Sequence, residues 1–331
     1  MTELLYKRSK MKLLIIKTEK SPSHLLRDAH AEKVREVDPS IEVIMTSDAE
    51  EIKRHIVDAD ILACSPLVFP DISGAKNLKW IHSFSAGVDK ILKPEVVNSD
   101  VLVTNSSGIH ATPIAEHIIG FMLMFTRRFY DTFRAQQKKE WKRREDLTEL
   151  RGKVVLIVGL GHIGTEAARL THCFGAHVLA VDASKKDKPD FVEELKTPDA
   201  LPKFFGKADF VALCLPYTKE TNHFLDLEKM KQMKPSAVLI NIGRGAVVHE
   251  QELIEALQSK VIAGAGLDVT ETEPLPPESP LWEMENVLIS PHHSGISEKY
   301  MDRAIEKLCL NLEAFLQGKP LPNLVDKKRG F

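Results

Sequence analysis

Three polar residues in the second half of the chain each stand shortly after an apolar, strand-like run. Arg244 follows VLIN in NIGRGAVV, Glu273 follows AGLDV in DVTETEP, and His292 follows VLIS in SPHHSG. In doubly wound α/β folds ligands sit outside the carboxyl ends of the strands, so these are the first candidates for chemistry. Arg244, with glycine on both sides, offers a planar fork that can grip a carboxylate at two points while polarising a neighbouring carbonyl. Its plainer role is an inter-strand ion pair. Histidine titrates near neutral pH and can give a proton to a developing alkoxide, which is the part His292 would play. An isolated histidine more often packs or caps, and an isolated glutamate in a proline-rich loop is solvated. Together they do more: Glu273 against the far ring nitrogen would fix the tautomer and favour the charged imidazolium, keeping the acid loaded. The chemistry this implies is hydride reduction of a 2-oxo acid.

Such a reaction needs a hydride carrier, and VVLIVGLGHIGTEAARLTHCFGAHVLAVD at 154–182 has the form of a dinucleotide site. Five apolar residues read as a buried parallel strand, followed at once by Gly159, Gly161 and Gly164 in the order G-x-G-x-x-G. The first glycine permits a tight turn, the second lets a pyrophosphate approach the backbone, and the third lets the next helix pack on its strand. The helix N-terminus then faces the phosphate charge. A second apolar strand ends on Asp182, eighteen residues after the last glycine, where a carboxylate can accept from both ribose hydroxyls. Asp182 repels a 2′-phosphate and favours NAD over NADP, a preference softened by Lys185 and Lys186 nearby.

The elements that must position these residues fall into two domains. Before the fingerprint, short strands at 12–17, 41–46, 60–64, 78–84 and 101–104 alternate with helices, one opened by Ser21-Pro22 and one by a capping box at Ser47-x-x-Glu50. That is a parallel α/β unit without a phosphate loop, hence a substrate-binding domain. A helix at 112–141, with Ile114, Ile118, Met122 and Phe125 near one face, leads to the second domain. Strands at 209–213, 237–241, 263–268 and 287–290 then complete a six-stranded doubly wound sheet. A last helix at 297–316 returns to the first domain, so the split is discontinuous: 1–109 with 299–331 for substrate, and 110–298 for the cofactor. The fold class expected is two Rossmann-like or flavodoxin-like parallel-sheet domains with the active site in the cleft between them. Met11 is read as the natural start, with 1–10 an extension, and 327–331 as a frayed tail.

Composition narrows the partners. At 331 residues, with 43% hydrophobic content and 45 Lys and Arg against 47 Asp and Glu, no overall field steers the chain toward nucleic acid or anionic membrane. The eight Lys and Arg at 127–144, interleaved with Phe129, Tyr130, Phe133 and Trp141, are read as a solvated or subunit-facing surface. Cys64, Cys173, Cys214 and Cys309 show no C-x-x-C spacing, which fits a reducing compartment and a cytoplasmic protein. No apolar run reaches membrane-spanning length, and no metal ligand set is evident.

Beyond these physical readings, the chain resembles the D-isomer-specific 2-hydroxyacid dehydrogenases, the family of glyoxylate/hydroxypyruvate reductases, D-lactate dehydrogenase and phosphoglycerate dehydrogenase. The resemblance rests on SAGVD at 85–89, AEH at 115–117, VGLGHIG at 158–164, LPYTKET at 215–221, NIGRGAVV at 241–248, GLDVTETEPLPPESPLW at 266–282 and SPHHSG at 290–295. It implies Arg244, Glu273 and His292 as the catalytic trio. It implies Ala86 and Gly87 as backbone donors to the substrate carboxylate, with Arg244. It places His162, Ile163, Leu215, Pro216, Thr221, Ile242, Gly243, Asp268 and His292 about the cofactor, with Asp268 near the nicotinamide carboxamide. It also implies a homodimer through the helical arm at 112–145, in which Trp141 or Trp282 either reaches the partner's cleft or simply packs.

The sequence departs from the family pattern at two places within its motifs. His293 stands where an apolar residue is usual, so the roles of His292 and His293 could be exchanged; His292 is preferred because it directly follows the proline. Thr270 stands where Phe is frequent. Glu273, where formate dehydrogenases of this fold carry Gln, argues against that activity. The function expected is an NAD(H)-dependent reductase of glyoxylate, hydroxypyruvate or a related 2-oxo acid giving the D-2-hydroxy acid. The alternative is an NAD(H)-sensing scaffold like the corepressors of the same fold, and the absence of a Pro/Ser/Gly-rich tail favours the enzyme.

Overall fold

The structure, a computed structural model, describes residues 10–18 and 25–328; the helix start expected at Ser21-Pro22 lies outside them, as do residues 1–9. The chain divides into two compact units, Met1–Ile109 with Ile296–Phe331, and His110–Gly295. The second crossing thus falls at 295/296, where the sequence suggests 298/299.

In the first unit, β1 (Lys12–Ile16), β2 (Glu42–Thr46), β3 (Ile61–Cys64), β4 (Trp80–Ser83) and β5 (Leu102–Thr104) form a parallel sheet in the order β2-β1-β3-β4-β5. This is the flavodoxin-like order. Both faces are covered, which is why β1 is an unbroken apolar run from Leu13 to Ile16. Leu13 and Ile15 join one core and Leu14 and Ile16 the other. The last helix, Tyr300–Leu316, covers the first of these cores with Met301, Ala304, Ile305, Leu308 and Leu312, spaced as one helical stripe. The second helix starts one residue later than the expected box, on Asp48, whose side chain accepts from the Glu51 N–H. The tail is not frayed at its described end: the Val325 N–H donates to the Val103 carbonyl, and Lys327 Nζ donates to the carbonyls of Val96, Ser99 and Val101.

In the second unit, β6 (Val154–Val158), β7 (His177–Val181), β8 (Glu194–Lys196), β9 (Phe210–Leu213), β10 (Val238–Asn241), β11 (Gly264–Leu267) and β12 (Val287–Ile289) are all parallel, in the order β12-β11-β10-β9-β6-β7-β8. The sheet has seven strands, not six. β8 escapes a reading by pattern because it is a three-residue edge strand, Glu-Leu-Lys, with no fully buried residue. The strand order reverses between β6 and β9, and that switch point opens a crevice at the carboxyl ends.

The helix expected at 112–141 is two helices, Ala111–Thr126 and Phe129–Gln137. Its apolar stripe ends at Phe125; in the second helix only Tyr130 is buried. Thr126 bonds back to the Met122 carbonyl, and Arg128 turns the chain in a left-handed conformation (φ 51°). Several of the basic residues that follow are paired, Arg128 and Arg144 both with Asp131.

Candidate active site

The fingerprint folds as its spacing requires. Gly159 has φ +94°, and a side chain there would meet the Cys214 carbonyl; a Cβ on Gly164 would lie 2.0 Å from the Gly159 carbonyl oxygen. Gly161 precedes the helix His162–Cys173, and the space over it is open, with no atom within 4 Å of where a Cβ would stand. Open backbone at a helix N-terminus fits a pyrophosphate. His162 is exposed at that helix start, and Ile163 packs against the core below.

Asp182 closes the other end. Its Oδ2 accepts from the Leu160 N–H at 2.8 Å, and its Oδ1 accepts from the N–H groups of Ser184 and Lys185, each at 2.8 Å. Burial alone would push this carboxyl up, but the backbone donors Ser184, Lys185 and Leu160 hold it below the usual carboxylate range. Lys185 is tied back to the Leu160 carbonyl and the Thr165 hydroxyl, while Lys186 is exposed.

The loops after β9, β10 and β11 are stacked by glycine. A Cβ on Gly243 would lie 2.5 Å from the Leu215 carbonyl oxygen, and one on Gly245 would lie 1.9 Å from that of Thr270. The loop after β10 is therefore wedged between its neighbours, with Ile242 buried beneath it. Thr221 bridges its own loop, donating to the Pro216 carbonyl at 2.7 Å and accepting from the Thr218 N–H.

Arg244 leaves this wedge exposed. Its only hydrogen bond from the guanidinium among the described residues runs from Nη1 to the Gly243 carbonyl (2.8 Å), and the expected plainer role, an inter-strand ion pair, is not found among them. Glu273 Oε1 accepts from the Thr270 N–H at 3.2 Å, and Glu273 Oε2 lies 2.7 Å from His292 Nδ1. The glutamate therefore meets His292 and not His293. His292 is 51% exposed at the side chain, and its Nε2 has no partner among the described residues. An imidazole gripped by a carboxylate at one nitrogen and open at the other can exchange a proton with a bound molecule.

Asp268, expected near the cofactor, has a further structural part. It is 2% exposed. Oδ1 accepts from the Ser290 hydroxyl (2.6 Å), the His293 N–H (3.1 Å) and the Ser294 N–H (3.2 Å), and Oδ2 accepts from the Ser294 N–H and hydroxyl. Burial works against its charge, but the donors Ser290, Ser294 and His293 prevail and lower its pKa. The donor atoms of His117, Asp268 and His293 lie within 4.8 Å of one another, a grouping that could hold a metal ion. Both Asp268 oxygens are already engaged by protein donors, so the group reads as a hydrogen-bond network. Ser290 and Ser294, which the sequence reading passed over, are the two hydroxyls flanking His-His in SPHHSG; a buried acid upstream was the signal that they had a partner.

In the first unit, the loop after β4 turns its carbonyls inward. Phe84 O accepts from the Tyr300 hydroxyl, Ser85 O from the Ser106 N–H, and Ala86 O from Asn105 Nδ2. The N–H groups of Ala86 and Gly87 donate to no other described residue. Beside them lies a pocket of about 220 Å³ lined by Pro66, Leu67, Ser85, Gly87, Asp89 and Lys90.

Comparison with known proteins places this geometry. Residues 119–294 match the family profile described as D-isomer specific 2-hydroxyacid dehydrogenase, NAD binding domain. The chain is 35% identical over 288 residues to a glyoxylate reductase of Thermofilum pendens, covering 84% of this chain and 85% of that one. A D-isomer specific 2-hydroxyacid dehydrogenase family protein from Aeromonas salmonicida superposes with a TM-score of 0.83 at 29% identity, covering 96% of this chain and all of that one (100%). An NADPH-dependent glyoxylate/hydroxypyruvate reductase from Sinorhizobium meliloti, in complex with NADP and sulfate, does so with a TM-score of 0.78 at 28% identity, over 97% and 100% of the two chains. With a dinucleotide fingerprint, two parallel sheets and an Arg, Glu and His brought to strand ends, the chain belongs to the D-isomer specific 2-hydroxyacid dehydrogenases and is an oxidoreductase acting on the CH–OH group.

Proposed function

We propose that this enzyme reduces a small 2-oxo acid of the glyoxylate or hydroxypyruvate type to the D-2-hydroxy acid, using NADH. The observation that carries the reading is the 2.7 Å contact of Glu273 Oε2 with His292 Nδ1, which leaves Nε2 open and exposed; Arg244, on the loop after β10, has no ion pair among the described residues. The similarity to glyoxylate reductases supports the substrate class.

A bound dinucleotide supplies the hydride; Gly161, His162 and Ile163 would hold its pyrophosphate, Asp182 its ribose, and the loops at Leu215–Thr221 and Ile242–Gly243 would flank it. Arg244 binds the substrate carboxylate and draws electron density from the adjacent carbonyl. His292 gives the proton from Nε2 to the alkoxide oxygen, and Glu273 holds the ring and balances the charged state. The free N–H groups at Ala86 and Gly87 are the further proposed contacts of the carboxylate. NAD is preferred to NADP because the Asp182 charge opposes a 2′-phosphate and the Lys185 ammonium is already bound to Leu160 and Thr165. The protein is further proposed to work in the cytoplasm as a two-fold dimer through the arm at 112–145, which carries the exposed Phe129, Phe133 and Trp141.

The test is cofactor oxidation with glyoxylate, hydroxypyruvate, pyruvate and phenylpyruvate, run with NADH and again with NADPH. Turnover of the first two with NADH at the higher kcat/KM is the expected result. Tight NADH binding with no turnover of any acid would replace this reading by the sensing scaffold.

A further inference from the structure

The loop that carries His292 is held from outside itself by a side chain for which the reaction as described has no use. His117 projects from the helix Ala111–Thr126, half-buried, with its ring edge-on to Phe121 at 4.7 Å and to His293 at 5.7 Å between centroids. Its Nε2 lies 2.9 Å from the Ser290 hydroxyl, which lies 2.6 Å from Asp268 Oδ1. A hydroxyl has one proton to give. Asp268 is held as the carboxylate and can only accept, so Ser290 donates to Asp268 and accepts from His117. His117 is thereby fixed as the Nε2–H tautomer. Burial, which outweighs the pull of Asp268 in the other direction, holds its pKa below the usual histidine value and keeps the ring neutral.

Asp268 is also the residue on which the main chain at 292–294 hangs. Its carbonyl accepts from the His292 N–H at 2.9 Å, and its carboxylate accepts from the N–H groups of His293 and Ser294. His292 itself has φ +50°, a left-handed conformation that a residue other than glycine keeps only where its surroundings over-determine it. The surroundings here are the hydrogen-bonded series His117, Ser290, Asp268.

We propose that His117 is a positioning residue: through Ser290 and Asp268 it fixes the left-handed turn at His292 and so holds that imidazole on Glu273. The inference rests on the general-acid role proposed for His292. It assigns a function to the AEH motif at 115–117 that neither the fingerprint nor the trio requires. The sequence shows the motif but not its partner, because His117 and Ser290 are 173 residues apart.

The experiment is steady-state reduction of the preferred 2-oxo acid by the full-length enzyme with NADH. His117→Ala is expected to lower kcat about 10- to 100-fold, the range that follows from a small misplacement of a reacting group. KM should stay within about threefold and the Kd for NADH within about twofold, because neither ligand is bound by His117. His117→Gln, whose amide can offer an N–H near the same point, should restore kcat to within about fivefold of the parent. Ser290→Ala breaks the same series from its other end and serves if His117→Ala does not fold. The double variant should be no worse than the poorer single one. An unchanged kcat in His117→Ala, independent losses in the double variant, or failure of Gln to restore kcat would each overturn the proposal. His292→Gln separates this inference from the reading beneath it. Near-normal turnover there removes the general acid and the inference with it, whereas an inactive His292→Gln beside an unimpaired His117→Ala removes the inference alone.

Discussion

At the scale of single residues, chemistry depends on which groups are left unsatisfied. Among the described residues the Arg244 guanidinium bonds only to its neighbour's carbonyl, so its charge is available to a ligand. Arg244→Ala should raise KM and lower kcat together if, as proposed, one fork both binds the carboxylate and polarises the carbonyl; steady-state kinetics showing a KM effect alone would remove the polarising role. Asp182 is the opposite case, a carboxylate held in place by local N–H donors and kept charged by them. Asp182→Asn should narrow the ratio of kcat/KM for NADH over NADPH by about tenfold, the effect of removing one repulsive charge worth about 1.4 kcal/mol. Residue types and order are enough to single out Arg244, Glu273, His292 and Asp182 as candidates. They were not enough to place His293, which lies next to His292 in sequence yet turns its ring toward His117. The difference is made by the left-handed turn at His292, a backbone property that no side-chain pattern announces.

Among elements, the deciding feature is how close the strand-end loops approach each other. Gly245 has no room for a methyl group against Thr270, the residue whose N–H holds Glu273. Gly245→Ala should therefore destabilise the fold by about 1–3 kcal/mol, as overpacking does. It should also lower kcat by displacing Glu273, and urea unfolding together with turnover would read both effects. A variant that keeps parental kcat would show that the wedge does not position the glutamate. The strands themselves were legible, since parallel strands covered on both faces are unbroken apolar runs, as in β1 and β6. Elements without that signature were misread for physical reasons. β8 is short and half-polar at a sheet edge, and the break at Arg128 is a left-handed turn that the helical pattern does not announce.

Across the whole molecule, two sheets with two cores each make stability a property of buried surface, and polar groups inside it set the response to pH. His82 is fully buried in the first unit between Thr104 and Ser106, and burial pushes its imidazole down to about 3. The unfolded chain would protonate this histidine near its ordinary value while the folded chain does not. Between about pH 6.5 and 3 the unfolded state thus binds the extra proton, and stability falls as pH falls, by up to about 1.4 kcal/mol per pH unit from this group. Urea midpoints measured from pH 7 to 4 should decline less steeply in a His82→Gln variant; equal slopes would mean that the acid sensitivity lies elsewhere. Among the described residues no helix is long and apolar enough to cross a membrane.

The sequence by itself determined the parallel α/β class and the dinucleotide turn and pointed to three candidate side chains, because each is encoded locally, in an apolar run, a glycine spacing or a residue type at a strand end. Tertiary structure alone decided that Glu273 meets His292, that Asp268 gathers the backbone of the histidine loop, and that His117 reaches Ser290 across the chain. Those contacts join residues that are distant in sequence, and only the packing of helix on sheet and loop on loop brings their donors and acceptors within bonding distance.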